Sequence, residues 1–180
     1  MELMKGRSED SSSRLEKEVK VYDLLDKVGI EYDRVDHEEA NTMEACNDVA
    51  NALNIFICKN LFLCNRQKTK FYLLMMPGDK VFKTKYLSKQ LHCSRLSFAN
   101  PDDMKRYLNI RPGAVSIMGL MNDKENHVQL LVDKPVIESD FLGCHPCVST
   151  TSLKIKTKDI LEKFLPIVHH EPIIVDLPDE

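Results

Sequence analysis

Two apolar runs, Ile55–Cys64 and Phe71–Met76, flank the polar hexapeptide Asn65-Arg66-Gln67-Lys68-Thr69-Lys70. Both runs are rich in β-branched, aromatic and long aliphatic residues, and each is far shorter than the ~18 apolar residues a membrane helix needs. Runs of this length around a polar connection predict a β-hairpin with a longer loop. Pro77-Gly78-Asp79 then marks a turn, so the chain must fold around a sheet. The remaining elements have to be short, because polar and turn-forming residues interrupt the chain throughout.

Upstream, Leu15, Val19, Tyr22 and Leu25 recur at helical spacing, and Gly29 stands where a helix end favours positive φ. Tyr32 to Val35 alternates as a short strand ending at His37, and Thr42 reads as the cap of a helix towards Leu53. Downstream, a helix is expected over 84–90. Asn100-Pro101-Asp102-Asp103 combines an N-cap, a proline in the first turn and two carboxylates at the positive end of a helix dipole. Ala114–Met118, Val128–Val132 and Val148–Ile155 read as strands. Thr157 is expected to cap a last helix that stops at Pro166.

No internal repeat or linker divides the sequence, so the expectation is one mixed α/β domain over 14–166. Residues 1–13 are polar and Ser-rich and are expected to be disordered, and 167–180 form a C-terminal tail without a period. The first residues contain no apolar stretch of the kind a secretory leader has. Six cysteines without such a leader read as reduced thiols in a cytoplasm. An apolar fraction of 43% supplies one sizeable core and excludes membrane-spanning, collagen-like, disordered and disulfide-stapled classes.

A net charge of −3 argues against a simple nucleic-acid binder, but the distribution is uneven. Residues 1–50 carry a balance of −7, residues 59–95 of +8, and residues 96–180 of −4. The basic block is either an anion-facing surface or a set of solvated lysines on strand edges and one helix face.

Three local features carry candidate chemistry. Cys144-His145-Pro146-Cys147 has C-x-x-C spacing, but the sequence after it is β-prone rather than helical, so no helix dipole would activate the first thiol. No second ligand pair stands at matching spacing to complete a zinc site. His145 lies between Gly143, which permits a close turn, and Pro146, which restricts the backbone, so its imidazole is held in place. His37, His92 and His127 show no partner at useful spacing. Lys59 interrupts an apolar run, and burial of an unpaired ammonium there would be costly. Either it reaches solvent at a strand edge or it awaits a ligand anion. No Ser-His-Asp order, G-x-S-x-G or phosphate loop is present.

Taken in order, Lys59-Asn60-Leu61-Phe62-Leu63, Leu96–Ala99, Pro112–Ser116, Gly119–Asp123, Val132-Asp133 and Gly143–Pro146 resemble the prolyl-tRNA editing family. The Gly-x-His-Pro loop is similar to that of its free-standing branch, PrdX or alanyl-tRNA(Pro) deacylase, rather than the cysteine-clearing YbaK branch. The resemblance covers about residues 15–166. It implies a mixed, partly barrel-like sheet surrounded by helices, and metal-independent, cofactor-free hydrolysis of the ester joining alanine to tRNA(Pro). It implies Lys59 and His145 as catalytic residues, and Asn60, Ser116, Gly119, Gly143, Pro146, Ser149 and Thr150 as substrate-binding residues. The substrate's own ribose hydroxyl would help to activate water. The implied partners are the alanine-bearing acceptor end of tRNA(Pro) and prolyl-tRNA synthetase, with no DNA and no membrane. The same chemistry on serine or cysteine esters, or a non-catalytic tRNA- or synthetase-binding module, are the alternatives. One departure is that Ser149-Thr150 stands where the family commonly has Asn-Thr.

Overall fold

The protein is described from a computed structural model covering residues 1–40 and 42–179. Its strands are β1 (Met4–Lys5), β2 (Tyr32–Asp36), β3 (Cys58–Cys64), β4 (Phe71–Pro77), β5 (Ser97–Phe98), β6 (Val128–Asp133), β7 (Phe141–Cys144), β8 (Thr151–Lys156) and β9 (Ile173–Val175). The helices are α1 (Glu16–Lys27), α2 (Met43–Leu53), α3 (Thr84–Leu91), α4 (Pro101–Leu108), α5 (Lys134–Ile137), α6 (Thr157–Asp159) and α7 (Leu165–Ile167). A 3₁₀ segment spans Ile117–Asn122 and a π turn spans Ile160–Phe164.

The strands form two open sheets, ordered β1-β2-β8-β7 and β5-β3-β4-β6-β9, where a single partly closed sheet was expected. The first is antiparallel throughout, whereas the second is mixed, with β4, β6 and β9 parallel. The β3–β4 hairpin lies near the middle of the second sheet, in register from Cys58 opposite Pro77 to Cys64 opposite Phe71.

Both faces of the second sheet are covered, which explains its near-continuous apolar strands. Phe62, Phe71, Leu73, Met75 and Leu130 pack towards Leu142, Leu153 and Ile155 of the first sheet and Val21, Tyr22 and Leu25 of α1. Leu63, Leu74, Met76 and Leu131 face the other way, against Leu87 of α3 and Val175 and Leu177 of the tail. Each such buried aliphatic side chain is worth ~1.5–3 kcal/mol over leaving it in water.

Most of the expected helix-end residues act as read, but Thr157 does not: it is the first residue of α6, after Lys156, and its buried hydroxyl has no hydrogen-bond partner among the described residues. Thr42 accepts from the Ala45 amide, Asn100 accepts from the Asp103 amide, and Gly29 takes φ +73° just past α1. Three further expectations need correction. The 114–118 region holds no strand: the Ser116 hydroxyl accepts from the Met118 amide and starts the 3₁₀ segment. The strand expected from Val148 begins only at Thr151, because Cys147 at φ +63° turns the preceding loop. Pro166 does not stop the last helix. The amide of Leu165 bonds back to Ile160, across the wider turn, and the helix continues to Ile167.

Residues at both ends join the sheets. Met4 and Lys5 pair with Arg34 and Asp33. Ile173–Val175 lie parallel to Leu131–Asp133, and the Leu177 amide donates to Asp133. Glu180, the last residue of the expected tail, lies outside the described residues.

Candidate active site

Strand register brings the site together. Asp36 stands opposite Thr151, and the His37 amide donates to the Thr150 carbonyl at 2.9 Å. Gly143 and Cys144 pair with Lys154 and Leu153, so residues 145–150 form the loop joining β7 to β8. The end of β2, this loop, α2 and the start of β3 enclose a cavity of about 180 Å³. Val49, Leu53 and Ile55 give it an apolar side, and Asn60, His37, His145, Ser149 and Ser152 a polar one.

His145 is half-buried, and its Nδ1 lies 2.8 Å from the Thr151 carbonyl. A carbonyl only accepts, so Nδ1 carries the proton and Nε2 keeps a lone pair. Burial lowers the pKa of the ring from its ordinary value, and the nearby His37 adds to this against the opposing Thr151 hydrogen bond. The imidazole is therefore neutral at pH 7, an acceptor or base rather than a cation.

The loop is braced from several sides. The Ser116 hydroxyl, fully buried, donates to the His145 carbonyl at 2.6 Å. Thr151, whose carbonyl orients the imidazole, also donates its hydroxyl to Asp36 at 2.9 Å. Arg14 grips Asp36 with two nitrogens, at 2.9 and 2.8 Å, and Arg34 adds a further close contact. These hydrogen bonds, led by Arg14, hold the Asp36 carboxyl well below the usual carboxylate range.

His37 and Ser152 are functional candidates that sequence reasoning missed. The rings of His37 and His145 lie 6.2 Å apart. His37 Nδ1 donates to the Glu38 carbonyl at 2.7 Å, and its Nε2 meets the Ser152 hydroxyl at 2.8 Å. Ser152 is also 3.5 Å from His145 Nδ1. The pair is separated by more than a hundred residues, and only the β2–β8 register unites it. The end of the Tyr32–Val35 alternation at His37 was the available sequence signal.

The remaining expected site residues divide. Asn60 and Gly143 line the cavity, and a Cβ on Gly143 would stand 2.1 Å from Ile55 Cδ1, so glycine keeps that wall open. The Asn60 Oδ1 is buried with no hydrogen-bond partner among the described residues. Ser149 lines the cavity but donates its hydroxyl to Glu39 at 2.9 Å. Pro146 is a buried residue of the loop and is not in the cavity wall, and Thr150 faces the outer surface. Gly119 serves packing, since a Cβ there would lie 2.6 Å from Ile110 Cδ1.

Lys59 is not in the cavity wall. Successive strand residues face opposite sides, so Cys58 and Asn60 face the cavity while Lys59 takes the other face. Its ammonium donates to the Lys80 carbonyl. Lys80 is itself buried and paired with Asp133 at 2.8 Å. The two expected catalytic groups thus stand on opposite faces of β3. That strand is paired with β5 only at Leu63 and Cys64, leaving its edge at 58–61 open.

Cys144 and Cys147 are both buried free thiols, and burial pushes each up to about 12. Neither is the low-pKa thiolate that redox exchange requires. Among the described residues no three His, Cys, Asp or Glu side chains converge as a metal-holding group. No described helix is long and apolar enough to cross a membrane.

The family model for the aminoacyl-tRNA editing domain matches residues 37–163, and the chain belongs to that family. The prolyl-tRNA editing protein ProX of Acetoanaerobium sticklandii is 29% identical over 141 residues, 78% of this chain and 85% of that protein. Prolyl-tRNA synthetase associated domain-containing protein 1 of Danio rerio is 27% identical over 155 residues, 85% and 83% of the two chains. In fold, the chain resembles the crystal structure of a candidate trans-editing enzyme for prolyl-tRNA synthetase. The TM-score is 0.67 at 12% identity, covering 92% of this chain and all of that one. The family resemblance carried by the ordered motifs is borne out.

Proposed function

We propose that this protein is a trans-acting deacylase that hydrolyses alanine mischarged onto tRNA(Pro), clearing an error of prolyl-tRNA synthetase in the cytoplasm. The observation that carries the reading is the unpartnered Asn60 Oδ1, buried on the wall of the small cavity that also holds His145. A buried amide oxygen without a donor costs roughly 1–3 kcal/mol, and the α-amino group or a ribose hydroxyl of an aminoacyl-adenosine end supplies that donor.

An aminoacyl ester is already activated, so positioning and hydrogen bonds to the developing charge suffice for much of the acceleration. In the proposed complex Asn60 accepts from the substrate, and His145 Nε2 accepts a proton or hydrogen bond at the reacting end. The ribose hydroxyl helps to activate the attacking water. The wall of Val49, Leu53 and Ile55 takes a methyl side chain and excludes a larger one. Exclusion is needed, because a missing methylene alone discriminates by only ~1–3 kcal/mol. Ser116 and Pro146 hold the loop. Gly143 leaves room for the ester, and Ser149 and Thr150 border the entrance.

Lys59 fits this scheme from the far face of β3. The acceptor end crosses the open strand edge, and the ammonium leaves the Lys80 carbonyl to hold the terminal phosphate as a point charge. ProX and the trans-editing enzyme of similar fold support the choice of prolyl-tRNA as substrate.

The test is deacylation of Ala-, Ser-, Cys- and Pro-tRNA(Pro) by the purified protein. Alanine is expected to be cleared fastest, with proline spared. Faster loss of serine or cysteine would transfer the same chemistry to that amino acid, and no turnover at all would leave a binding module. Lys59→Ala is expected to lose at least ten-fold in rate with its fold unchanged; a wild-type rate removes the lysine from the scheme.

A further inference from the structure

A second surface lies on the Lys59 face of the same sheet, beyond the open edge of β3. Phe98, on edge strand β5, is 64% exposed although it is a large aromatic residue. It stands opposite Leu63, four residues along β3 from Lys59, or about 13 Å at ~3.3 Å per residue. Directly opposed residues share a face, so Phe98 and Lys59 lie on the same side of the sheet. Phe82 meets the Phe98 ring edge-on, with centroids 5.9 Å apart.

Cations lie close to this pair in sequence. The Thr84 hydroxyl donates to the Leu96 carbonyl at 2.7 Å, which draws the first turn of α3 against the Arg95–Phe98 segment. Exposed Lys83, Lys85 and Arg95 stand on the two segments brought together there, within three residues of Phe82 or Phe98 in sequence. Within the basic 59–95 block, the ion pairs among the described residues are those of Lys68 with Asp103 and of Lys80 with Asp133 and Asp179. Lys83, Lys85 and Arg95 are exposed and form none of these ion pairs, and the Lys85 ammonium lies 4.9 Å from the centroid of the Tyr86 ring.

The segment that carries Phe82 starts beside the cavity wall. The Gly78 amide donates to the Ile57 carbonyl at 2.8 Å, so the turn leading to Phe82 begins beside a residue of the cavity wall. Lys59 then bonds to Lys80, two residues before Phe82.

We propose that Phe82 and Phe98, with Lys83, Lys85 and Arg95, form a stacking platform for the single-stranded nucleotides that precede an RNA 3′ end. Exposed aromatic faces take bases with little regard to sequence, and unpaired cations beside them take the backbone phosphates. Cations without an acidic partner favour RNA over a protein partner, because protein interfaces are depleted in lysine. This inference rests on the deacylase reading and adds where the rest of the acceptor end lies.

The test uses the full-length protein and a fluorescein-labelled RNA ending in single-stranded CCA, followed by anisotropy. Phe98→Ala is expected to weaken binding about ten-fold, in keeping with the loss of one base–aromatic stack, and Phe98→Tyr to restore it. Lys83→Gln with Lys85→Gln should flatten the salt dependence of binding. With Ala-tRNA(Pro), Phe98→Ala should raise KM and leave kcat unchanged, while hydrolysis of alanyl-adenosine, which lacks the preceding nucleotides, stays at the wild-type rate. Unchanged RNA affinity in Phe98→Ala overturns the platform. So does RNA affinity that is unchanged while binding to prolyl-tRNA synthetase is lost. Because the anisotropy arm needs no turnover, a platform that binds RNA in a protein that fails to deacylate would sink the activity alone.

Discussion

His145 is defined by what its two nitrogens can do. The Thr151 carbonyl occupies Nδ1–H, leaving Nε2 as the free lone pair, and burial keeps the ring neutral. A pH dependence follows. The ring must be unprotonated to accept, and its pKa lies below the ordinary 6.5, so activity should hold through neutrality and fall as pH drops through a midpoint below 6.5. The stability linkage has the same sign. The unfolded ring takes up its proton near 6.5 before the folded one does, so stability is fully present above 6.5 and declines below it. A kcat/KM profile of the wild type beside His145→Gln checks this. The acid limb should vanish in the variant along with most of the activity, and a variant that keeps both the wild-type rate and the acid limb would remove the proton-accepting role. This histidine was legible because Gly143 and Pro146 bracket it. His37 was not, because nothing near it in sequence announces Ser152, which β2–β8 pairing places 2.8 Å from its Nε2.

Elements were readable where a local hydrogen bond decides them. Asn100 caps α4 because its side chain can satisfy the Asp103 amide without help from the rest of the fold. Asn100→Ala should therefore cost about 1 kcal/mol. That is a fall in Tm of about 2–4 °C for a domain of this size, measurable by thermal denaturation. No change would mean that the first turn of α4 is held by packing alone. The failures occurred where distant contacts outweighed local preference. Ala114–Met118 has strand-like composition, but Ser116 is buried beneath the His145 loop and accepts from the Met118 amide, which favours a 3₁₀ turn. Pro166 lacks the amide an α-helix would use, and the π turn before it lets the helix pass.

At the scale of the molecule, Lys80 and Asp133 tie the second sheet to the tail. Asp133 is fully buried and accepts from Lys80 Nζ at 2.8 Å, the Leu177 amide at 2.9 Å and the Lys134 amide at 3.1 Å. Lys80 also donates to the Leu177 carbonyl at 2.7 Å. Asp133→Ala would strand a buried ammonium and release Leu177, so a loss of about 3–5 kcal/mol is expected. Urea denaturation measures it, and a loss under 1 kcal/mol would show that exposed Asp179 can replace the carboxylate. The sequence by itself determined the hairpin, the caps at Thr42 and Asn100, the family and the uneven charge, because each follows from local spacing or from ordered motifs. Only the tertiary structure decided which side chains meet. Strand alternation sent Lys59 and Asn60 to opposite faces of β3, and the β2–β8 register brought His37 to His145. Face and register are set by what each sheet buries, and no local stretch of sequence contains that information.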